Sequence, residues 1–264
     1  MATGKTAGIE PTVNRSSLLI RKCQGLDEMR ACVALQKEVW GFADIELVPL
    51  RMFVVAEKVG GQVIGAFAGN QLVAFAFAVP GVRDQHAYLY SHMLAVREPY
   101  RNAGLGRRLK LAQRDDALSR GLDLMEWTFD PLEIKNSYFN LERLGAIARR
   151  YNVNQYGITS SPLQGGLPTD RLVAEWWLKS KRVEQLLATG KNLQFTPVHT
   201  ISVPAQIYDW KADMATRNQA LQIQERNREA FQKAFAGGLA AFGYRRDPQG
   251  NGEFLLGPWA EGLS

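Results

Sequence analysis

The sequence predicts a mixed α+β fold in which helices pack on a mostly antiparallel sheet. Segments with alternating apolar residues and segments with helical apolar spacing follow one another along the chain. A strand at residues 87–96, a helix at 105–120 and a strand at 122–130 form a crossover, and a connection of that length joins parallel neighbours. The chain has 264 residues, 46% of them apolar, which is enough to bury a sizeable core without disulfides or metal.

The elements before this crossover are framed by capping and turn residues. They are, in order, a strand at 18–25, a helix from Asp27 to Gly41, a helix from Pro49 to Gly60, and strands at 62–68 and 71–79. Asp is a favoured N-cap, Pro is favoured in the first turn, and Gly ends helices in the left-handed conformation. The uncharged stretch 59–82 is long enough to span a bilayer, but the turn at Gly69-Asn70 predicts a hairpin instead. We therefore expect no membrane partner.

The crossover strand and the elements after it follow the same logic. Alternation at residues 87–96 places five side chains on one face: Tyr88, Tyr90, His92, Leu94 and Val96. The later elements are a helix at 133–144, strands at 146–156 and 172–178, a helix at 183–187, a strand at 195–203, a helix at 209–235, and a hairpin of 239–244 with 253–256. The loop at 157–171 is rich in Ser, Gly and Pro, and loops of that length are often functional.

Composition and charge restrict the class of protein. Lys and Arg total 32 against 26 acidic residues, and this net charge of +6 is compatible with an anionic small ligand as well as with nucleic acid. No aromatic and basic patch of the nucleic-acid-binding kind is present, so we expect no nucleic-acid partner. Cys23 and Cys32 are expected to be reduced thiols in the cytoplasm. We expect no metal, because neither CxxC nor HExxH spacing occurs.

A glycine loop between a strand and a helix is the most informative motif. It runs from Val96 through Pro99 to Arg101-Asn-Ala-Gly104-Leu-Gly106. Glycines allow close approach of a ligand to the backbone, and the unsatisfied N–H groups and dipole of a helix N-terminus attract anions such as pyrophosphate. Nearby positive charge comes from Arg101, Arg107, Arg108 and Lys110. The alternative is a glycine-rich turn with a solvated basic helix face. Neither a P-loop nor a dinucleotide-binding motif is present.

The pattern Arg101-x-x-Gly104-x-Gly106 after a strand resembles the acyl-CoA loop of the GCN5-related N-acyltransferases, the GNAT superfamily. The resemblance covers residues 18–180, and a weaker one, through Trp127 to Leu132, is to an uncharacterised branch with a C-terminal extension. It implies a splayed parallel strand pair with acetyl-CoA or another acyl-CoA between the strands. The residues it assigns to this cosubstrate are Leu94, Ala95, Val96, Arg101, Asn102, Ala103, Gly104, Leu105, Gly106 and Arg107. Asn136 either binds the cosubstrate or caps its helix.

Three residues are candidates for proton transfer. His92 precedes the loop at the spacing of a base histidine in one branch of the family, and an imidazole suits that role near neutral pH. Tyr138 stands one turn before Leu141, which occupies the position of the family's acid tyrosine. Glu126 is a mid-strand carboxylate that acts as a base or anchors substrate, or pairs with an arginine. For His92 and Tyr138 the alternative is a core position.

Four residues are candidates for holding the acceptor. Tyr90 stands where another branch of the family has its base. Asp130 either contacts substrate or organises the turn at Pro131. Asp170 and Arg171 close the long loop, and Arg171 either clamps a substrate carboxylate or forms a surface ion pair.

These observations predict a flexible leader at 1–17, an acyl-CoA-binding core at 18–180 and an extension at 181–264 packed on the core. The extension either covers the acceptor cleft or forms a homodimer contact. The predicted activity is direct N-acyl transfer to a small amine or amino acid. Two alternatives are a non-catalytic acyl-CoA sensor, motivated by Leu141, and a nucleic-acid-binding protein, motivated by the charge.

Overall fold

The computed structural model describes residues 18–259, so the predicted leader at 1–17 lies outside the described residues. The elements of the first part are β1 (Leu19–Lys22), α1 (Gly25–Trp40), α2 (Leu50–Lys58), β2 (Gln62–Ala68), β3 (Gln71–Arg83), β4 (His86–Val96), α3 (Leu105–Ser119) and β5 (Leu124–Phe129). Helix α1 ends at Gly41, which has φ +65° as the C-terminal glycine signal predicted.

The second part contains α4 (Ile134–Tyr138), β6 (Ile147–Asn152), β7 (Arg171–Trp177), α5 (Lys181–Thr189), β8 (His199–Val203), α6 (Ile207–Ala212), α7 (Arg217–Ala236), β9 (Leu239–Arg246) and β10 (Gly252–Pro258). The predicted helix at 209–235 is wrong, because α6 and α7 are separate helices. Asp213 accepts a hydrogen bond from the Ala215 N–H at 2.9 Å, and this local turn interrupts the helical pattern.

The ten strands form one sheet in the order β1-β2-β3-β4-β5-β7-β6-β9-β10-β8. All neighbours are antiparallel except β4 and β5, which are parallel as the crossover predicted. Strand β9 of the C-terminal segment joins β6 through the pair Ala148 and Ala241, so the sheet continues from the core into residues 181–259. The mixed α+β prediction with a central parallel pair is confirmed.

Two helical layers cover the sheet. Helices α1 and α2 pack on one face over β2 to β4, where Phe53, Phe75 and Phe77 form their core. Helix α3 packs on the opposite face, and the helices of the C-terminal segment continue that layer through Ile207 and Phe231. The two faces of the β4–β5 region therefore have different surroundings.

The uncharged stretch 59–82 folds as the hairpin of β2 and β3. Within residues 18–259, no helix combines the length and the apolar character that crossing a membrane requires.

Candidate active site

Strands β4 and β5 separate after a short paired stretch. Their register contains two pairs, Leu89 with Met125 and Tyr90 with Glu126. Strand β4 continues to Val96 and stays paired with β3 on its other edge. The edge of residues 91–96 that faces β5 therefore keeps backbone donors and acceptors without a strand partner, and they are available to a ligand.

A β-bulge lies at His92, where the strands begin to separate. Consecutive residues of β3 lie opposite Ser91 and Met93, so His92 is the extra residue of β4. Leu94 and Val96 consequently pack against α3, whereas Met93 packs on the face of α1 and α2. Our prediction that His92 shares a face with Leu94 and Val96 is wrong for this reason, since an alternation argument does not allow for an inserted residue.

The glycine loop leads directly into α3. Asn102 has φ +61° and Gly104, which precedes the helix, has φ +74°. The first helical hydrogen bond runs from the Arg108 N–H to the Gly104 carbonyl oxygen at 3.1 Å, so the N–H groups of residues 105–107 precede the helical ladder. A Cβ built on Gly104 meets no atom within 4 Å, and the first turn has no acidic residue. The loop is therefore open, and its free N–H groups have the arrangement that anions favour at a helix N-terminus.

The basic residues near the loop do not all face it. Arg101 donates to the Val96 carbonyl oxygen at 2.9 Å, and Arg107 donates to the Arg143 carbonyl oxygen at 3.3 Å, so both are anchored near the loop. Arg108 instead donates to the carbonyl oxygen of Leu18 at 3.0 Å. Lys110, which we placed with the charges beside the phosphates, is 4% exposed and belongs to the interior.

Helix α4 carries two of the predicted residues, Asn136 and Tyr138. Asn136 is exposed and accepts a hydrogen bond from Asn140 Nδ2 at 3.5 Å. Tyr138 is 37% exposed, and the described residues give its hydroxyl no partner. The ring of Phe139, the residue directly after α4, lies 4.0 Å from a Cβ built on Gly106, so the end of this helix leads to the opening beside the glycine loop.

The chain continues from α4 into a π-helical turn at Phe139–Arg143. A π turn adds a residue to the helical repeat, which rotates the side chains after it. Leu141, at the position of the family's tyrosine, is fully buried in the main core. Asn140 reaches β5 and accepts a hydrogen bond from Trp127 Nε1 at 3.2 Å. The sequence did not identify Asn140 as a residue near the opening, because the residue pattern does not predict the π turn.

On the face of the sheet that α1 and α2 cover, His92 lies beside a group of hydroxyls. Its ring lies 6.2 Å from those of Phe77 and Tyr90, and desolvation lowers its pKa below the usual value, which favours the neutral imidazole. The hydroxyls of Tyr90 and Thr128 each share a 3.1 Å hydrogen bond with the Tyr156 hydroxyl. Burial raises the pKa of Tyr156 to about 12, so the Tyr156 hydroxyl keeps its proton at neutral pH.

Glu126 lies on the same face beneath arginines. Both its oxygens accept from Arg83, at 2.9 and 2.5 Å, and Arg150 donates to it at 2.5 Å. Arg150 and Arg149 also donate to Glu175 at 3.0 Å. The two carboxylates are 2% and 0% exposed while the three arginines are partly exposed, so this face presents net positive charge. In the sequence, the feature that best indicated this charged group was a carboxylate in the middle of a strand, Glu126.

The side chains of Asp130, Asp170 and Arg171 form hydrogen bonds with other residues of the protein. Asp130 accepts from the Leu132 N–H at 2.8 Å and from Lys211 Nζ at 3.1 Å. Asp170 is completely buried and accepts from the hydroxyl of Tyr151, the N–H of Asn154 and the guanidinium of Arg228 at 2.7 to 2.9 Å.

The Arg171 guanidinium lies 5.9 Å from the centroid of the Tyr156 ring and donates to Gln164 Oε1 at 3.1 Å. It therefore borders the hydroxyl cluster. The long loop closes over this face through Ser160, whose N–H donates to Glu46 at 3.0 Å, and through Ser161, whose hydroxyl donates to the Trp40 carbonyl oxygen at 2.7 Å.

The sheet opens at a bulge, and the glycine loop lies at the end of the opened strand, which is the arrangement that the sequence resemblance implied. Residues 27–139 match the model of the acetyltransferase (GNAT) family, so this part of the chain resembles a GNAT acetyltransferase domain. No curated protein matches the chain.

Similar solved structures include three bacterial proteins. A GNAT-family protein from Desulfovibrio desulfuricans has 15% identity, covers 61% of this chain and 99% of its own, and has a TM-score of 0.51. The Escherichia coli ribosomal-protein-S18-alanine N-acetyltransferase has 17% identity, coverages of 67% and 99%, and a TM-score of 0.49. A Salmonella typhimurium protein solved with acetyl-CoA has 15% identity, coverages of 61% and 94%, and a TM-score of 0.49. At these identities the likeness concerns the fold alone.

Proposed function

We propose that this protein is an acyl-CoA-dependent N-acyltransferase that acts on a small amine or an amino acid. The observation that carries the proposal is the unpaired edge of β4, which leads from the bulge at His92 to the open N-terminus of α3 at Gly104. That edge suits the amide groups of pantetheine, and the helix N-terminus suits a pyrophosphate. The family of residues 27–139 supports the same class of reaction.

In the proposed reaction, a bond forms between the acyl carbon and the acceptor nitrogen, the carbon–sulfur bond breaks, and the proton that the amine loses ends on the leaving thiolate. His92, neutral because of its lowered pKa, accepts the proton of the acceptor amine. A backbone N–H on the unpaired edge near Leu94 polarises the thioester carbonyl. Asn136 and residues 101–107 hold the donor, and Tyr138 stands near its path on α4.

Direct transfer is supported by the state of the two cysteines. Cys23 and Cys32 are both buried, with their Sγ atoms 3.9 Å apart. The hydrogen bond from Cys23 and burial raise the pKa of the Cys32 thiol, which disfavours the nucleophilic thiolate. The unlinked pair also fits a reducing compartment, so we place the protein in the cytoplasm.

The acceptor is proposed to bind on the face of α1 and α2, beside Tyr90 and the Thr128–Tyr156 hydroxyls. Arg171 borders this group, and Arg83 and Arg150 add positive charge next to it. A carboxylate on the acceptor would find hydrogen-bond donors there. This supports an amino acid over a simple alkylamine.

The test is a thiol-release assay with acetyl-CoA and a panel of amines and amino acids. The expected result is release that depends on both substrates. CoA binding without release for any pair would support the sensor instead. Binding of DNA or RNA with an affinity that falls steeply with salt would support the nucleic-acid alternative.

A further inference from the structure

Lys110 is a buried lysine at the point where β4 and β5 separate. The residue is 4% exposed, and its ammonium lies 3.6 Å from the centroid of the Trp127 ring and 2.8 Å from Ser91 Oγ. Ser91 and Trp127 are the first residues after the last paired positions of the two strands. Lys110 therefore lies on the α3 side of the sheet, at the point where β4 and β5 begin to separate.

The surroundings of Lys110 supply donors but no anion. In the part of the chain that the structure describes, no carboxylate lies within 4.0 Å of its ammonium. Ser91 receives a hydrogen bond from Lys110 and donates its own proton to Gln113 Oε1 at 2.9 Å. The Nε2 group of Gln113 is buried and has no hydrogen-bond partner. The Lys110 ammonium thus has a neutral hydroxyl as its acceptor but no counter-ion, and the buried amide donor of Gln113 has no acceptor. Both deficits are costly unless a ligand supplies an anion.

The point where β4 and β5 separate lies in line with the proposed path of the donor. From the glycine loop after Val96, the unpaired edge of β4 runs back to Ser91, a distance of about 17 Å for five residues of extended strand. A donor held with its pyrophosphate at the loop presents its acyl group at the far end of this edge. Beyond a thioester placed near the bulge, the next groups along the opening are Ser91, Trp127 and Lys110.

We propose that Lys110 receives a carboxylate at the far end of the acyl group, so that the preferred donor is the CoA thioester of a dicarboxylic acid. This inference rests on the proposed function and names its donor class. The ammonium of Lys110 and the amide of Gln113 would both donate to that carboxylate. An acetyl group carries no carboxylate to this position, so the Lys110 ammonium stays without a counter-ion and the Gln113 amide stays unpaired.

Desolvation holds the pKa of Lys110 well below its usual value in the protein without ligand. A bound carboxylate favours the charged form of the lysine and so raises that pKa. Sites built to hydrogen-bond a polar group discriminate strongly against analogues that lack it, because their buried groups then stay unpaired. We therefore expect a preference of at least about tenfold in kcat/KM for a carboxylate-terminated donor over acetyl-CoA.

The experiment compares malonyl-, succinyl-, glutaryl- and acetyl-CoA with one acceptor in the thiol-release assay. In the unmodified protein, one of the three dicarboxylic donors is expected to exceed acetyl-CoA at least about tenfold. Lys110→Met keeps the apolar length of the side chain and removes the ammonium, and it is expected to abolish this preference, measured as the ratio of kcat/KM for the dicarboxylic donor to kcat/KM for acetyl-CoA. Lys58→Met, which changes an exposed lysine on α2, is expected to leave the preference intact.

Two results would overturn the inference. One is acetyl-CoA turnover equal to or above that of all three dicarboxylic donors in the unmodified protein, a result that does not depend on any variant folding. The other is a Lys110→Met variant that folds, by thermal unfolding, and keeps the preference. Turnover with acetyl-CoA alone would leave the proposed function standing, whereas no release from any donor would remove the proposed function itself.

Discussion

His92 is the residue whose protonation the proposed reaction depends on most. It stands at the bulge of β4, next to Tyr90, and desolvation lowers its pKa below the usual value of about 6.5. The sign of the expected pH dependence follows from this shift. The neutral base is present at pH 7 and above, and activity falls as the pH drops through the lowered pKa of His92.

The variant His92→Gln tests this role. We expect a loss of about 100-fold or more in kcat/KM at pH 7, because general bases contribute roughly that much. The loss should shrink towards pH 10, where a growing fraction of the amine is already deprotonated. The measurement is the pH profile of kcat/KM. His86→Gln is the matched control, since His86 is on the same strand but pairs with Asp123 at 3.0 Å. A loss independent of pH would remove His92 as the base.

At the residue scale, the spacing of apolar residues in α3 indicates which side of the helix is buried. Leu105, Leu109, Gln113 and Ala117 recur every four residues on the buried side of α3, and Lys110 is adjacent to that stripe. The stripe could have indicated that Lys110 is buried. Its contact with Trp127 could not have been predicted, because it depends on how α3 packs across β4 and β5.

At the scale of elements, the glycine loop and α3 form one functional unit. The two ends of this helix offer a controlled comparison. Gly104 has φ +74° before the helix and Gly121 has φ +77° after it, and a Cβ at either position meets no atom within 4 Å. Leucine therefore introduces similar backbone strain at both positions. They differ in that Gly104 borders the proposed pyrophosphate site.

We expect CoA at about 100 times its Kd to raise the Tm of the unmodified protein by roughly 5–10 °C. Gly104→Leu should abolish this shift. Gly121→Leu should lower the Tm without ligand but keep the shift. Differential scanning fluorimetry with and without CoA measures both effects. A full CoA shift in Gly104→Leu would show that the loop does not hold the donor.

Most element boundaries followed from capping and turn residues, because these act locally. The hairpin of β2 and β3 and the start of α3 at Leu105 were predicted in this way. The bulge at His92 and the π turn at Phe139–Arg143 were not, since each is an inserted residue stabilised by tertiary contacts. Both lie at the opening between β4 and β5, where departures from ideal patterns are expected at functional sites.

At the scale of the whole molecule, the C-terminal segment braces the long loop beside the acceptor face. Arg228 of α7 donates to Asp170 at 2.8 Å, and Gln224 donates to the Pro168 carbonyl oxygen at 2.8 Å. Lys211 of α6 bridges Asp130 and Glu133 at 3.1 and 2.6 Å. We infer that helices α6 and α7 position the acceptor loop. A homodimer contact through this segment stays a prediction.

Arg228→Met tests this positioning role. It leaves the completely buried carboxylate of Asp170 without its cation, so we expect a lower Tm and a looser loop. The KM for the acceptor should rise about fivefold or more, which corresponds to roughly 1 kcal/mol, while the KM for acyl-CoA stays unchanged. Lys233→Met, at an exposed position of the same helix, is the control. Equal changes in both KM values would indicate a general structural effect instead.

The sequence predicted the core of this molecule better than its extension. The crossover and the glycine loop determine the β4–β5 opening, because a strand, a tight turn and a helix follow one another within about 30 residues. Strand β9 joins β6 through one long-range pair, Ala148 with Ala241, and no local sequence pattern predicts this pairing.

The central claim is that the chain transfers an acyl group from CoA to an amine. The most direct measurement is mass spectrometry of the acceptor panel after incubation with isotopically labelled acetyl- and succinyl-CoA. We predict a labelled amide on at least one amino acid or small amine, formed by the unmodified protein and not by Gly104→Leu. Tight CoA binding with no labelled amide from any donor and acceptor would contradict it.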